Sequence, residues 1–297
     1  MQKGKVKNIN ANAGSSKRKS NREGSFVGRI IGEIVLAVST IIVWVPIYYF
    51  IIGAFKERTD IVKFPLKMTF ETMSFNNIVE TIEKMNFFNA LKNTGAITLG
   101  GLVLVVIFGS IAGFALARIN RRGFRIYYGA LIALMVVPFI GVLISLIRLS
   151  VTLHIYNTLW AGILIQAAWN LPFAVFLYTG FIRALPKELE EAAYVDGCSM
   201  FRVYYNIFLP LLAPVTATCC IRTGIGIWND YLLSLTVLND SYTPTLMVAV
   251  QSFFGDRNSE YGLAFAGILL ASLPIMIMFI FLQKYFIKGL AAGAVKG

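Results

Sequence analysis

Arg222 is the only charged residue between Val203 and Asn229, in the middle of an otherwise uncharged stretch. An unpaired arginine facing lipid at the centre of a membrane helix costs about 2.5–3.5 kcal/mol or more. Arg222 therefore either lines an aqueous path, where it reads an anionic or strongly hydrogen-bonding substrate, or pairs with an acid, such as Glu33 or one on a partner chain. Two further groups place polar atoms in apolar runs. Gln166, Trp169 and Asn170 lie close together, and Trp228, Asn229, Asp230 and Tyr231 are consecutive. Aromatic faces beside amides suit a ligand with apolar faces to stack and hydroxyls to hydrogen-bond. The same residues equally suit interhelical hydrogen bonds, worth ~0.6 kcal/mol each, and an interfacial aromatic belt. The belt is the favoured reading for the second group, which lies near the end of its run.

Other chemistries find little support. A single histidine, His154, leaves no His/Cys metal cluster, and Cys198, Cys219 and Cys220 have no placement suggesting a structural disulfide. No Gly-x-x-x-x-Gly-Lys-Ser/Thr phosphate loop is present.

The elements that must position these residues are membrane spans. The 297 residues are 57% apolar and only 14% charged, against roughly a quarter charged in soluble domains. The net charge of +12 sits in clusters beside apolar runs, which are topology signals rather than a nucleic-acid footprint. Residues 1–25 are too polar to bury a core and are expected to be a disordered basic tail. Six runs of about 20 residues then follow: Ile34 to Phe55, Ala96 to Ala117, Ile126 to Ile147, Tyr156 to Ile182, Val203 to Asn229, and Tyr261 to Gln283. In lipid every backbone group must pair within its own segment, so each is expected to be a helix, with Pro46, Pro138, Pro172 and Pro274 tolerated inside. Eighteen Lys/Arg fall on the side of both termini and eight on the other, which places the termini in the cytoplasm. Within the 56–92 connection, Ile78, Ile82, Met85, Phe87, Phe88 and Leu91 predict a short amphipathic helix on the membrane surface.

The segment between the fourth and fifth spans has its own pattern. Pro186, then Glu188, Glu190 and Glu191, start a helix with proline early and acids in the first turn. Ala192 and Ala193 are small enough to let another backbone approach, and Gly197 ends the helix. A second short helix from Met200 to Tyr205 leads to Pro210, where the fifth span begins. Such a knob is either an ordinary helical loop or a docking element for another protein.

Glu191-Ala192-Ala193, Gly197, Ile207 and Leu209-Pro210 resemble the EAA motif of bacterial ABC importer permeases. The likeness is closest to carbohydrate permeases of the maltose inner-membrane type. Asn157-Thr158-Leu159-Trp160, Leu171-Pro172-Phe173-Ala174, Gly180-Phe181, Trp228-Asn229-Asp230 and the tail from Gly289 to Gly297 extend it from about residue 30 to the end. The resemblance implies an all-α integral membrane protein of six transmembrane helices with type I ABC importer permease architecture. It divides the chain into a disordered basic cytoplasmic tail over 1–28 and a permease domain over 29–297, with a coupling loop at about 183–207. The implied function is that of a permease subunit, not an enzyme, in an ATP-driven, binding-protein-dependent importer of a mono- or oligosaccharide in the bacterial plasma membrane.

The partners implied are a second homologous permease, two cytosolic ABC ATPases, an extracellular solute-binding protein, the sugar and membrane lipid, with no nucleic acid. No cofactor or metal is expected in this chain, since the partner ATPase binds ATP and Mg. Glu190, Glu191, Ala192, Ala193, Asp196, Gly197 and Pro210 would couple to the ATPase. Gln166, Trp169, Asn170, Arg222, Trp228 and Asn229 are the candidate substrate pathway, although at position 222 the family usually has an apolar residue. The alternatives are an ABC permease for a non-sugar solute and a stand-alone secondary transporter. The latter would usually carry intramembrane acids that these spans lack.

Overall fold

The structure, a computed structural model, describes residues 3–67, 73–238, 244–255 and 260–294; side chains are described from residue 26 to 283, apart from Val27, Leu282 and the gaps. The described residues form helices and their connections, with no strand among them. In order they are α1 (Lys3–Gly53), α2 (Arg58–Lys63), α3 (Asn76–Lys84), α4 (Phe87–Arg118), α5 (Arg122–Leu134), α6 (Phe139–Thr152) and α7 (Leu159–Arg183). There follow α8 (Glu188–Val195), α9 (Met200–Val203), a π-helical turn (Tyr204–Phe208), α10 (Leu209–Leu211), α11 (Ala213–Trp228), α12 (Leu232–Val237), α13 (Leu246–Gln251) and α14 (Tyr261–Ala294).

Four stretches are long and apolar enough to cross a membrane unbroken: 28–53 in α1, α4, α7, and 261–281 in α14. The third and fifth expected spans are each broken, a correction to the reading of six continuous helices. α5 and α6 meet at 105°, and the 200–211 helical segment meets α11 at 70°. Pro138 caps α6 and has no N–H to continue the ladder from α5, and it disfavours helical geometry in the residue before it. Pro210 and Pro214 flank the second break, so the straight intramembrane helix begins at Ala213 rather than at Pro210. Pro46, Pro172 and Pro274 instead lie inside continuous helices.

Neighbour contacts set the direction of each segment. Gly101 of α4 faces Gln166 of α7, while Gly113 faces Tyr178, so these two helices run parallel. The bent α5–α6 pair must therefore carry the chain back across, and it counts as one crossing. α11 runs the opposite way, with Thr216 beside Tyr178 and Gly224 beside Leu102. α14 is antiparallel to α11, with Ala271 against Trp228 and Met278 against Gly224. The result is six crossings, with α8 at the same end as Arg118.

The N-terminal segment departs from expectation: α1 begins at Lys3, so its backbone is helical where composition predicts a disordered tail. A preformed span supplies the helix nucleus, and each added residue then needs only one more hydrogen bond. Side chains of residues 1–25, and of the family-like tail from Gly289 to Gly297, lie outside the described residues. The amphipathic helix is present as α3, but it is docked more deeply than a surface helix. Thr81 is fully buried and its hydroxyl donates to the carbonyl of Leu263 in α14. Lys84 bridges Glu80 at 2.9 Å and Glu260 at 3.1 Å, and these hydrogen bonds hold its ammonium charged to higher pH than usual. Asn86, in the left-handed region at φ 45°, turns the chain into α4.

α4 and α7 are the centre of the fold. Gly109 and Gly113 are four residues apart on α4, the spacing that lets membrane helices approach closely. A Cβ on Gly113 would come within 2.5 Å of Tyr178 Cβ and 3.2 Å of the Thr179 nitrogen, and one on Gly109 within 2.8 Å of Ala174 Cβ. Overpacking of this kind costs roughly 1–3 kcal/mol. Gly113→Ala is expected to lower the melting temperature of the detergent-solubilised protein by roughly 2–10 °C. Gly180→Ala, where an added Cβ meets nothing within 4 Å, is the matched control and should leave it near the parent value. Equal melting of the two variants would show that this contact does not hold the pair.

Candidate functional site

The structure brings four of the six candidate pathway residues together. Gln166 and Asn170 are successive turns of one face of α7, both buried. Asn170 Nδ2 donates to the Gln166 carbonyl at 2.9 Å and lies 3.4 Å from its side-chain oxygen. That leaves Asn170 Oδ1 facing α11, where Arg222 Nη1 donates to it at 3.4 Å. The guanidinium sits over the Phe173 ring, 4.8 Å from its centroid. Trp169 is partly exposed and meets Phe139 edge to face at 4.8 Å.

Two adjoining cavities share Trp169, Asn170 and Arg222. One, about 330 Å³, opens towards the α5–α6 break, with Met135, Val137 and Phe173 in its wall. The other, about 210 Å³, reaches Gln166, Gly226 and Asp230. Arg222 thus edges open space rather than a lipid-only surface. The expected ion pair with Glu33 is not formed, because Glu33 pairs with Arg29 of its own helix at 3.2 Å. No carboxylate pairs with Arg222 among the described residues.

Trp228 and Asn229 are the corrections. Trp228 is buried between α11 and α14, its indole N–H donating to the Ala271 carbonyl at 3.1 Å, so it is neither in the cavity nor in an interfacial belt. The large indole face fills the interhelical gap and its single donor is satisfied there. Asn229 caps α11, is exposed, and lines neither cavity. The neighbouring Asp230 does edge the second cavity, but its carboxylate is occupied. It accepts from the Ser234 hydroxyl at 2.8 Å, the Ser234 N–H at 2.9 Å and the Leu233 N–H at 3.4 Å, ordering the first turn of α12. An acid three or four residues before these donors is the sequence signal for that role.

The 183–207 segment folds as helix, glycine turn, helix. Gly197 has φ +77°, a conformation that suits glycine. Its N–H donates to Tyr194 O at 3.0 Å and the Cys198 N–H to Ala193 O at 2.9 Å, the paired bonds that close a helix end of this kind. Asp196 is the cap residue before the turn, with its side chain exposed. Ala193 and Glu190 turn inwards, whereas Glu191, Ala192, Tyr194 and Val195 face out. Only Ala192 of the alanine pair is therefore free for another backbone; Ala193 packs among Ile182, Val203 and Phe208. Pro210 sits in α10, just above the break.

What holds this segment is one face of α4: Ser110, Phe114 and Arg118, at successive turns. The Ser110 and Tyr204 hydroxyls are 2.8 Å apart, and the Phe114 ring packs on Tyr204 and Phe208. Arg118 Nε is 3.3 Å from Glu190 Oε2, near enough for an ion pair though not aligned as a hydrogen bond. The Arg118 guanidinium also lies over Phe208, 5.2 Å from its centroid, and donates to the Leu185 carbonyl at 3.2 Å. Arg183, at the end of α7, donates reciprocally to Leu116 of α4 at 3.3 Å. By sequence alone both arginines read only as topology charges. Their place in the last turn of a helix, where carbonyls lack partners, was the available signal.

Breaking a buried ion pair by removing one partner costs roughly 3–5 kcal/mol. Arg118→Gln removes the ion pair, the bond to Leu185 and the contact with Phe208, while Glu190→Gln removes the ion pair alone. Limited proteolysis of the solubilised protein should cut within 184–199 at least several-fold faster in Arg118→Gln than in Glu190→Gln. Equal rates in the two variants would mean that Arg118 does not anchor the loop.

Comparison with known proteins adds a relationship to this geometry. Residues 105–291 match the family described as binding-protein-dependent transport system inner membrane component. The chain is 39% identical over 256 residues to the melibiose/raffinose/stachyose import permease protein MelC of Bacillus subtilis (strain 168), covering 86% of this chain and 92% of that protein. It is 32% identical over 262 residues to the probable starch degradation products transport system permease protein AmyC of Thermoanaerobacterium thermosulfurigenes, covering 88% and 95%. A chain of the solved bacterial ABC transporter involved in the import of the acidic polysaccharide alginate has the same fold, with a TM-score of 0.76 at 19% identity over 88% of this chain and 96% of that one. With six crossings, an EAA-type loop at one end and this similarity along most of its length, the chain belongs to the family of inner membrane components of binding-protein-dependent transport systems.

Proposed function

We propose that the chain is the permease subunit of an ATP-driven importer of a mono- or oligosaccharide, and that it forms half of the translocation path with a second, homologous permease. The observation that carries the reading is the knob at α8. Its inner residues are anchored to α4, while Glu191, Ala192 and Val195 stand free, Val195 being 88% exposed. An exposed apolar and acidic helix face on a rigid base is suited to seating in a groove of a cytosolic protein. The sugars named for MelC and AmyC support the substrate class.

In this reading the end that carries Arg118, α8 and the chain termini is cytoplasmic, as the excess of Lys/Arg there favours. Residues 1–28 form a basic cytoplasmic tail and 29–297 the permease domain. Two ATPase subunits bind ATP and Mg and seat α8, with Glu190, Ala193 and Gly197 shaping the helix from within and Asp196 preceding its turn. A solute-binding protein delivers sugar at the opposite end. Closure of the ATPase pair pushes α8, and α4 and α7 carry the displacement as one body to the cavity at Gln166, Trp169, Asn170 and Arg222. Such rigid-body alternation requires contacts that differ between two states, here the ATPase groove on α8 and the sugar in the cavity. Pro210, at the broken start of the fifth span, lies between the two.

The test is extraction in mild detergent and purification through this chain. A second permease and an ATPase should co-purify, and the Val195→Asp and Ala192→Arg variants, both on the free face, should retain the second permease while losing the ATPase at least roughly tenfold. Recovery of this chain without an ATPase, under conditions that preserve a known importer, would remove the ATP-driven reading.

A further inference from the structure

We infer that the cavity at Arg222 is built for a sugar carrying a carboxylate, a uronate or similar acidic unit, rather than for a wholly neutral sugar. The inference rests on the reading of this chain as an importer permease and adds the charge of its substrate. The central observation is a cation midway along α11 with which no carboxylate pairs among the described residues. Its hydrogen-bond partner in the protein is a neutral amide oxygen at 3.4 Å, the long end of the range, and below it lies an aromatic ring. The acid that shares the cavity, Asp230, has its oxygens engaged by Ser234 and Leu233 and is not within ion-pair distance of Arg222. Facing open space, the guanidinium is available to a ligand, and the described protein supplies dipoles and a ring quadrupole but no anion.

The rest of the cavity wall narrows the ligand. Trp169 and Phe139 form an edge-to-face aromatic corner, suited to the C–H face of a pyranose ring. Gln166 adds an amide within hydrogen-bonding reach of the same space. At about 330 and 210 Å³ the two adjoining cavities fall in the range of small-molecule sites. One guanidinium presents a planar fork that matches one carboxylate in both geometry and charge. A phosphate, with up to two charges, would leave one unanswered here.

The experiment uses the importer complex purified through this chain, with its second permease and ATPase, in phosphatidylcholine nanodiscs and without the binding protein. Equilibrium dialysis with radiolabelled digalacturonate and neutral galactobiose measures both affinities. The expected result is a preference for digalacturonate of roughly tenfold or more, absent in Arg222→Gln and reduced in Arg222→Lys, whose ammonium keeps the charge but not the fork. Complex assembly and melting temperature should match the parent in both variants, which separates recognition from folding. Equal binding of the two sugars, no binding of digalacturonate, or a preference that survives Arg222→Gln would overturn the inference. Loss of the preference when phosphatidylglycerol replaces part of the phosphatidylcholine would overturn it in favour of a lipid headgroup. Failure of the ATPase to co-purify is a separate result and would count against the importer reading itself.

Discussion

The close approach of α4 and α7 is the contact on which the remaining structure hangs. Inside a membrane there is little hydrophobic gain in bringing two apolar helices together, so association depends on how nearly their backbones can meet. Gly109 and Gly113 remove the side chains that would hold them apart, and Ala174 and the base of Tyr178 fill the space. At one end the two arginines cross, each donating to a carbonyl of the other helix or of its continuation. The pair behaves as a single beam because it is locked along its length and pinned at its end. Both candidate functional regions are mounted on it. The 183–207 segment is fastened to the Ser110–Phe114–Arg118 face of α4, while Gln166, Trp169 and Asn170 project from α7. From Asn170 to Arg183 the helix spans roughly 20 Å, a continuous lever between them with Pro172 inside it.

The breaks in the other spans make sense against that beam. Irregular backbone at membrane depth is tolerated where it is buried in protein or lines a cavity. The α5–α6 break meets this condition, since Met135 and Val137 border the larger cavity. The break before α11 and the π-helical turn lie between the loop and Arg222, where a change in the angle of one helix would shift the other side of the cavity. A stiff wall on α7 and a jointed wall on α5–α6 and α11 are what alternation between two accessible states requires.

Charge is used in two ways. Most cations cluster beside the apolar runs of the sequence, where they bias orientation. Arg118 and Arg183 belong to that cluster yet are also structural, closing helix ends that would otherwise leave carbonyls unpaired. Arg222 belongs to neither class. It is held by an amide and a ring, arrangements that orient a cation without neutralising it.

Much of the architecture was legible in the amino-acid order. Runs of about 20 uncharged residues are long enough to span and can satisfy their backbones only as helices, so the number of crossings follows from composition and length. The helix, glycine and helix of residues 188–203 were likewise readable, because Gly197 occupies a backbone conformation few other residues accept. The rest needed three dimensions. Which prolines break a span was not visible: Pro138 does and Pro172 does not, although both lie within apolar runs. Which of Ala192 and Ala193 is free depends on what packs behind α8. The Trp228-Asn229 pair reads as pathway or belt by composition, but the indole is spent on Ala271 of a helix 43 positions away. Local sequence sets helix, cap and turn because those are short-range backbone effects. Whether a polar side chain faces a cavity, a neighbouring carbonyl or the membrane is decided by contacts between distant segments, and these exist only once the helices have packed.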